Sequence, residues 1–154
     1  MNSKLQLIDF RESPTVQTKI IKGAPTSIAW LPNDTFGCAI GHDDGNVDLF
    51  SFQSNSVVIT QNVSENAISG ISFCETRNNV ASFTSDNLIL FSTLPVWGFG
   101  KFSVSKTYPM HTSNVTSANW FPRSDGNPMF ISCDMDSMVH IFEVPNEYIP
   151  IYGT

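Results

Sequence analysis

The sequence predicts an all-β chain assembled from repeated four-stranded units, and three observations carry that prediction. Residues 26–52, 68–93 and 115–144 echo one another, each ending in an apolar pair followed by a small or acidic residue. Phe50, Phe91 and Phe142 hold the same place in the three copies, 41 and 51 residues apart, and Ile8 of a weaker relative, Leu7-Ile8-Asp9-Phe10, stands 42 residues before Phe50. A period of about 40–45 residues is the spacing of a four-stranded propeller blade. Second, no segment sustains the i, i+3, i+4, i+7 apolar spacing of an amphipathic helix. Third, the 154 residues are 41% hydrophobic and only 14% charged, with twelve Phe. That balance excludes disorder and suits short strands joined by Ser, Thr and Asn turns.

Each copy divides into strands in the same order. In the first, residues 27–31 are apolar and end at the turn cluster Pro32-Asn33-Asp34. Residues 36–40 follow, and His42-Asp43-Asp44-Gly45 closes the run with the Asp-Gly pair that marks a hairpin. Residues 46–52 alternate, with Asp48, Phe50 and Phe52 on one face, and 57–63 form a fourth strand. The second copy gives 68–73, 80–84, 88–92 and 102–107; the third gives 115–120, 128–133, 138–144 and 147–152. Pro128 sits at a strand start, where its missing N–H does least harm. Ahead of these copies, 4–10 and 15–21 read as the last two strands of a unit whose two inner strands are missing. The expected units are therefore a half-blade at 4–22 and blades at 26–63, 68–107 and 115–152, all in a single domain.

Composition narrows the function. A formal charge of −6, with eight scattered basic residues, is the wrong footprint for a phosphate backbone. Cys38, Cys74 and Cys133 lie in apolar stretches without CxxC or Cys/His spacing, so they read as small core residues. The first residues lack the apolar core of a signal peptide, and no apolar run reaches membrane-spanning length. The three Asn-x-Ser/Thr patterns at Asn33, Asn62 and Asn114 are accordingly read as coincidental, and the chain as cytosolic or nuclear. The paired carboxylates Asp43-Asp44 and Asp134-Met135-Asp136 lack the further oxygen ligands of a calcium loop and are read as turn residues. His42 is read as a turn residue and His140 as the solvent side of an alternating strand. No metal, no cofactor and no catalytic residue is expected.

Several motifs resemble the WD40-repeat β-propeller family. His111-Thr-Ser-Asn-Val115-Thr-Ser-Ala-Asn-Trp120-Phe-Pro122 is similar to that repeat's glycine-histidine opening, inner strand and closing turn, with Met110 where glycine is usual. Trp30-Leu31-Pro32 repeats the turn, Phe73-Cys74-Glu75 is a degenerate version, and 40–47 resembles the turn into the third strand. The Trp-Asp dipeptide that names the family is replaced by Phe50-Ser51, Phe91-Ser92 and Phe142-Glu143. The resemblance covers nearly the whole chain. It implies a structural hydrogen-bond network in the third copy made of His111, Ser132 and Asp136, with Phe142 in the Trp place, and Asp44 keeping the turn position of the first copy.

It also implies a fold: all-β, a partial WD40-like propeller of three four-stranded blades plus a leading half-blade. Propellers close with about four to eight blades, so the open ends need covering, by a longer chain or by another protein. Self-dimerisation would juxtapose two outer half-blades and is disfavoured by strand count; a small self-closed barrel or sandwich is the alternative fold. The expected function is a non-catalytic protein–protein interaction scaffold, a subunit or fragment of a larger complex, with a propeller-type enzyme the competing class. Neither nucleic acid nor membrane insertion is expected. The rim positions carried over from the family are Thr26, Asp43, Ser69, Thr116 and Met135. Trp97 and Phe99, flanked by glycines, are a second candidate anchor of the aromatic kind found at binding hot spots.

Overall fold

A computed structural model describes residues 1–32, 36–74, 80–93, 103–121, 123 and 128–144. All its regular elements are strands, and they form four separate antiparallel sheets. The first pairs β1 (Asn2–Asp9) with β2 (Thr15–Lys22). The second, in order of pairing, holds β3 (Pro25–Trp30), β4 (Gly37–His42), β5 (Asn46–Ser51) and β6 (Ser56–Asn62). The third holds β7 (Gly70–Phe73), β8 (Val80–Ser85), β9 (Leu88–Thr93) and β10 (Ser103–Tyr108). The fourth holds β11 (Val115–Phe121), β12 (Met129–Asp134) and β13 (Val139–Glu143). Within each sheet every strand pairs with its neighbour in sequence, a series of meanders stacked face to face. This is the architecture of a partial β-propeller, not of a closed barrel. The strand expected at 147–152, and the aromatics Trp97 and Phe99, lie outside the described residues.

Three apolar layers glue the sheets. Leu5 and Ile21 of the first sheet meet Cys38, Ile40 and Phe50 of the second. The far side of the second sheet, Ala39, Val47 and Leu49, meets Ala81, Phe83 and Leu90 of the third. Val80, Ile89 and Phe91 on the third sheet's other side meet Phe130 of the fourth, with Tyr108, Trp120 and Phe142 packed around them. Because side chains alternate across a strand, a sheet buried on both faces needs apolar residues at consecutive positions. That is why β4 and β8 are buried along their whole length.

The three phenylalanines of the repeat do not share one orientation. Phe50 lies opposite Cys38 and Phe142 opposite Phe130, and both rings face the preceding sheet. Phe91 lies opposite Ser82 and faces the following sheet, while Ser92, opposite Ala81, takes the equivalent place. The cause is turn length. The β8–β9 hairpin turns on two residues, Asp86 and Asn87, between the pair Ser85 and Leu88. In the second and fourth sheets the last pairs are Gly41 with Val47 and Cys133 with Val139, leaving five residues between them. A difference of an odd number of residues slips the alternation by one and flips every side chain of the strand. Asp86 accepts a positive φ of 50° to make the tight turn.

Candidate functional site

The last residue of the second strand in each larger sheet is polar and buried: His42, Ser85 and Asp134. In the fourth sheet the His111 Nδ1–H donates to Asp134 Oδ2 at 2.8 Å, and His111 Nε2 accepts from the Ser132 hydroxyl at 2.6 Å. Donation to the carboxylate fixes this tautomer and leaves the hydroxyl proton for the other ring nitrogen. Asp134 Oδ1 accepts from the backbone N–H groups of Asp136 and Met138, at 3.0 and 3.1 Å. One buried carboxylate therefore ties the connector before β11 to the β12–β13 turn. The His111 hydrogen bond holds its carboxyl below the usual carboxylate range, against the opposing effect of burial.

This corrects the sequence expectation for Asp136. Its side chain is exposed, its backbone N–H serves Asp134 and the Ser113 hydroxyl, and the acid of the network is Asp134. A single residue, Met135, separates the two acids, and the backbone path places the first of them against His111. Phe142 stands beside the network, stacked on Tyr108 with ring centroids 4.4 Å apart. His140, expected on the solvent side, faces inward opposite Ser132 with its ring centroid 4.4 Å from that of His111.

The second sheet carries a network that the sequence reading missed. His42, expected in a turn, is buried and its Nε2 lies 2.9 Å from Asp48 Oδ2, while the Thr60 hydroxyl donates to Asp48 Oδ1 at 2.6 Å. Its Nδ1 is buried without a hydrogen-bond partner among the described residues. The signal was present: Asp48 falls on the same face as Phe50 in an alternating strand, and a carboxylate on a core face requires a donor. Asp44 stays exposed and takes no part. It caps its own turn, accepting from the Asn46 N–H at 3.0 Å and the Asn46 side chain at 2.6 Å. In the third sheet Ser85 donates to the carbonyls of Asn66 or Ala67, at 3.2 and 2.9 Å, and again ties a connector to a second strand.

Thr26, Ser69 and Thr116 occupy the same register position, at the start of the innermost strand of the three larger sheets. Thr26 and Thr116 sit in β-bulges. All three are exposed, and each hydroxyl is used locally: Thr26 bonds the Ile68 carbonyl, Ser69 the Thr84 carbonyl at 3.1 Å, and Thr116 the Cys133 carbonyl at 3.2 Å. Asp43 and Met135 follow the second strands of their sheets and are also exposed, Met135 to 68%. Among the cysteines, Cys38 and Cys74 are buried, whereas Cys133 is partly exposed on the outer side of the fourth sheet. Burial pushes the Cys38 thiol up to about 11. No group of three or more metal-ligating side chains occurs among the described residues, and no helix there is long and apolar enough to cross a membrane.

The fold and its networks define an all-β protein of partial propeller architecture, with buried polar groups that staple the third and fourth sheets to their connectors and tie together three strands of the second. No protein-family profile and no curated protein matches the sequence. Among solved structures, 671 chains match, so the architecture is a common one and by itself does not single out a function. One of them, from "Crystal Structure of Mitotic Checkpoint Complex", superposes with a TM-score of 0.71 at 20% identity, over 92% of this chain and 43% of that one. At that identity the likeness is one of fold, and the chain spans less than half the length of the protein it resembles.

Proposed function

We propose that the chain is a WD40-like interaction scaffold, a subunit or fragment of a multiprotein complex in the cytosol or nucleus, and not an enzyme. The observation that carries this reading is that both ends of the stack present apolar side chains. At the leading end Ile28 and Trp30 are 60% and 62% exposed; at the trailing end Phe121, Val139 and Ile141 are 59%, 59% and 64% exposed. Exposed apolar patches of this kind mark interaction surfaces. Likeness to a chain from a multiprotein assembly supports the reading. The rim residues Thr26, Asp43, Ser69, Thr116 and Met135 form the docking face, and the acidic charge of −6 favours a basic partner there. Photo-cross-linkers placed at Met135 and Thr26, with exposed Gln53 as control, test this directly. A defined protein captured in stoichiometric yield from both rim sites is expected. A monodisperse 17.0 kDa species that cross-links no more at the rim than at Gln53 would refute the scaffold.

A further inference from the structure

We infer that Ser13, at the tip of the β1–β2 hairpin, is a phosphoacceptor for a proline-directed serine/threonine kinase, and that Arg11 takes up the phosphate once it is attached. The inference goes beyond the scaffold reading and stands without it.

Sequence and exposure together single out this hydroxyl. Ser13 precedes Pro14, and no other Ser or Thr in the sequence is followed by proline. The last pair of the hairpin is Asp9 with Thr15, so Ser13 and both its neighbours, Glu12 and Pro14, lie outside the ladder. Every residue from Phe10 to Thr18 is exposed, the longest such run among the described residues. The Ser13 hydroxyl makes no hydrogen bond among those residues. Other turn hydroxyls are engaged: Ser54, in the corresponding β5–β6 turn, shares its own with Ser56 at 2.9 Å, and Ser113 accepts from the Asp136 N–H at 3.1 Å. Pro14 has a physical part in this. Its ring keeps the preceding residue out of the helical region and extended, and it has no N–H to draw a neighbour into a turn bond. An acceptor already extended and unbonded can enter a kinase cleft with β1 and β2 still paired.

The co-substrate is a nucleoside triphosphate. The kinase's catalytic aspartate takes the hydroxyl proton, a bond forms from Ser13 Oγ to the γ-phosphorus, and the bond to the bridging oxygen breaks to release the diphosphate. The hairpin tip is built to receive the product. Ser13 and Arg11 line one cleft of about 360 Å³ with Asp9, Glu12 and Thr15, and Arg11 is the cation among them. Its guanidinium, 88% exposed, grips Asp9: Nε–H donates to both carboxylate oxygens at 3.1 Å and Nη2–H to Oδ2 at 2.6 Å. A phosphate carries a charge of about −1.5 to −2 and three acceptor oxygens, so it draws the Arg11 fork away from a single carboxylate. Glu12 and the released Asp9 repel it, which leaves Arg11 as its partner in the turn. Residues 1–22 hold four basic side chains, Lys4, Arg11, Lys19 and Lys22, and two acidic ones, Asp9 and Glu12, a net of +2 within a chain of net −6. One phosphate brings that segment to about zero.

The test incubates the full chain with a purified proline-directed kinase and MgATP and maps the product by peptide mass spectrometry. A single phosphate on Ser13 is expected, and it should be lost in Ser13→Ala. Pro14→Ala keeps the hydroxyl and should slow the modification by about tenfold or more, the loss of one pocket contact. Ser54→Ala, which changes another exposed turn hydroxyl, should be modified at the native rate. Phosphorus NMR of the product reads the role of Arg11. The second phosphate pKa should lie lower in the native chain than in Arg11→Gln, where only Asp9 and Glu12 remain to raise it. Asp9, held by Arg11 at about 2 before modification, should rise toward the usual carboxylate range. Phosphate placed mainly at other residues, or none while a Ser-Pro peptide is turned over in the same tube, would overturn the acceptor. An undiminished rate in Pro14→Ala would overturn the proline-directed class. A phosphate pKa indifferent to Arg11→Gln, with Asp9 unmoved, would overturn the pairing with Arg11.

Discussion

Phe91 offers the sharpest test of how the sheets interlock. Its ring is fully buried and meets Phe130 edge-on, with centroids 5.3 Å apart, and the ring of Trp120 at 5.5 Å. Phe91→Ala removes a core ring at an inter-sheet contact, which costs about 3–5 kcal/mol. For a chain of this length that is a fall in melting temperature of about 6–20 °C. The same loss is compatible with any buried Phe, so the decisive quantity is a coupling energy. A double-mutant cycle between Phe91→Leu and Phe130→Leu, read from urea unfolding, should return about 0.5–1.5 kcal/mol for the lost edge-to-face pair. The same cycle between Phe91 and Phe50 should be additive within about 0.3–0.5 kcal/mol, because these rings lie in different layers. If the repeat were regular, Phe91 would face the second sheet and the Phe91–Phe130 coupling would vanish. Additivity there would refute the register slip.

Three further outcomes follow from the geometry. Asp134 has its folded pKa lowered chiefly by His111, so its contribution to stability is complete above the ordinary carboxylate range and is lost as pH falls through and below about 4. Melting between pH 6 and 3 should therefore fall more steeply for the native chain than for Asp134→Asn, which starts lower at pH 6; parallel slopes would argue against the network. Gly45 has a φ of +81° and a Cβ there would run into the Ser64 carbonyl, so Gly45→Ala should lower stability by more than the ~1–2 kcal/mol of left-handed strain alone. An unchanged urea midpoint would contradict that close approach. Toward a thiol reagent at pH 8, Cys133 should react first and Cys38, with its raised thiol pKa and 1% exposure, should wait for unfolding. Peptide mapping of the labelled sites reads the order, and early labelling of Cys38 would show the first two sheets to be parted in solution.

Much of the architecture was legible in the residues. The run of apolar segments, the Asp-Gly turn and the Pro-bearing loops locate most strands to within a residue or two, since alternation and turn chemistry are local properties. What local patterns cannot carry is parity. The echo aligns Phe91 with Phe50 and Phe142 by spacing along the chain, whereas orientation depends on whether the intervening turn adds an odd or an even number of residues. The acid of the network was carried over from the family resemblance to Asp136, whereas only the path of the backbone tells which of the two neighbouring carboxylates meets His111. His42 and His140 were misread for a related reason. An imidazole next to a turn is polar by type, yet a partner such as Asp48 or the His111 ring lets it enter the core. The rim residues Thr26, Ser69 and Thr116 were carried over from the family resemblance, and the structure sets them at one register position, two of them in bulges.

The two-residue turn at Asp86-Asn87 has a consequence for how such a chain can be rearranged. In a strictly periodic array any blade can follow any other, and duplication or loss of a unit leaves every junction intact. Here the third sheet works as an adapter. Its front, with Ala81, Phe83 and Leu90, is cut to fit the second sheet, and its back, with Ile89 and Phe91, to fit the fourth. Deleting it would press Val47 and Leu49 against Phe130 and the polar cluster of His111, Ser132 and Asp134, apolar surface onto groups already committed to one another. Joining two copies of the third sheet would set Ile89 and Phe91 of one against Ala81, Phe83 and Leu90 of the next, a pairing found nowhere among the described residues. The order of the sheets is thus written into their faces.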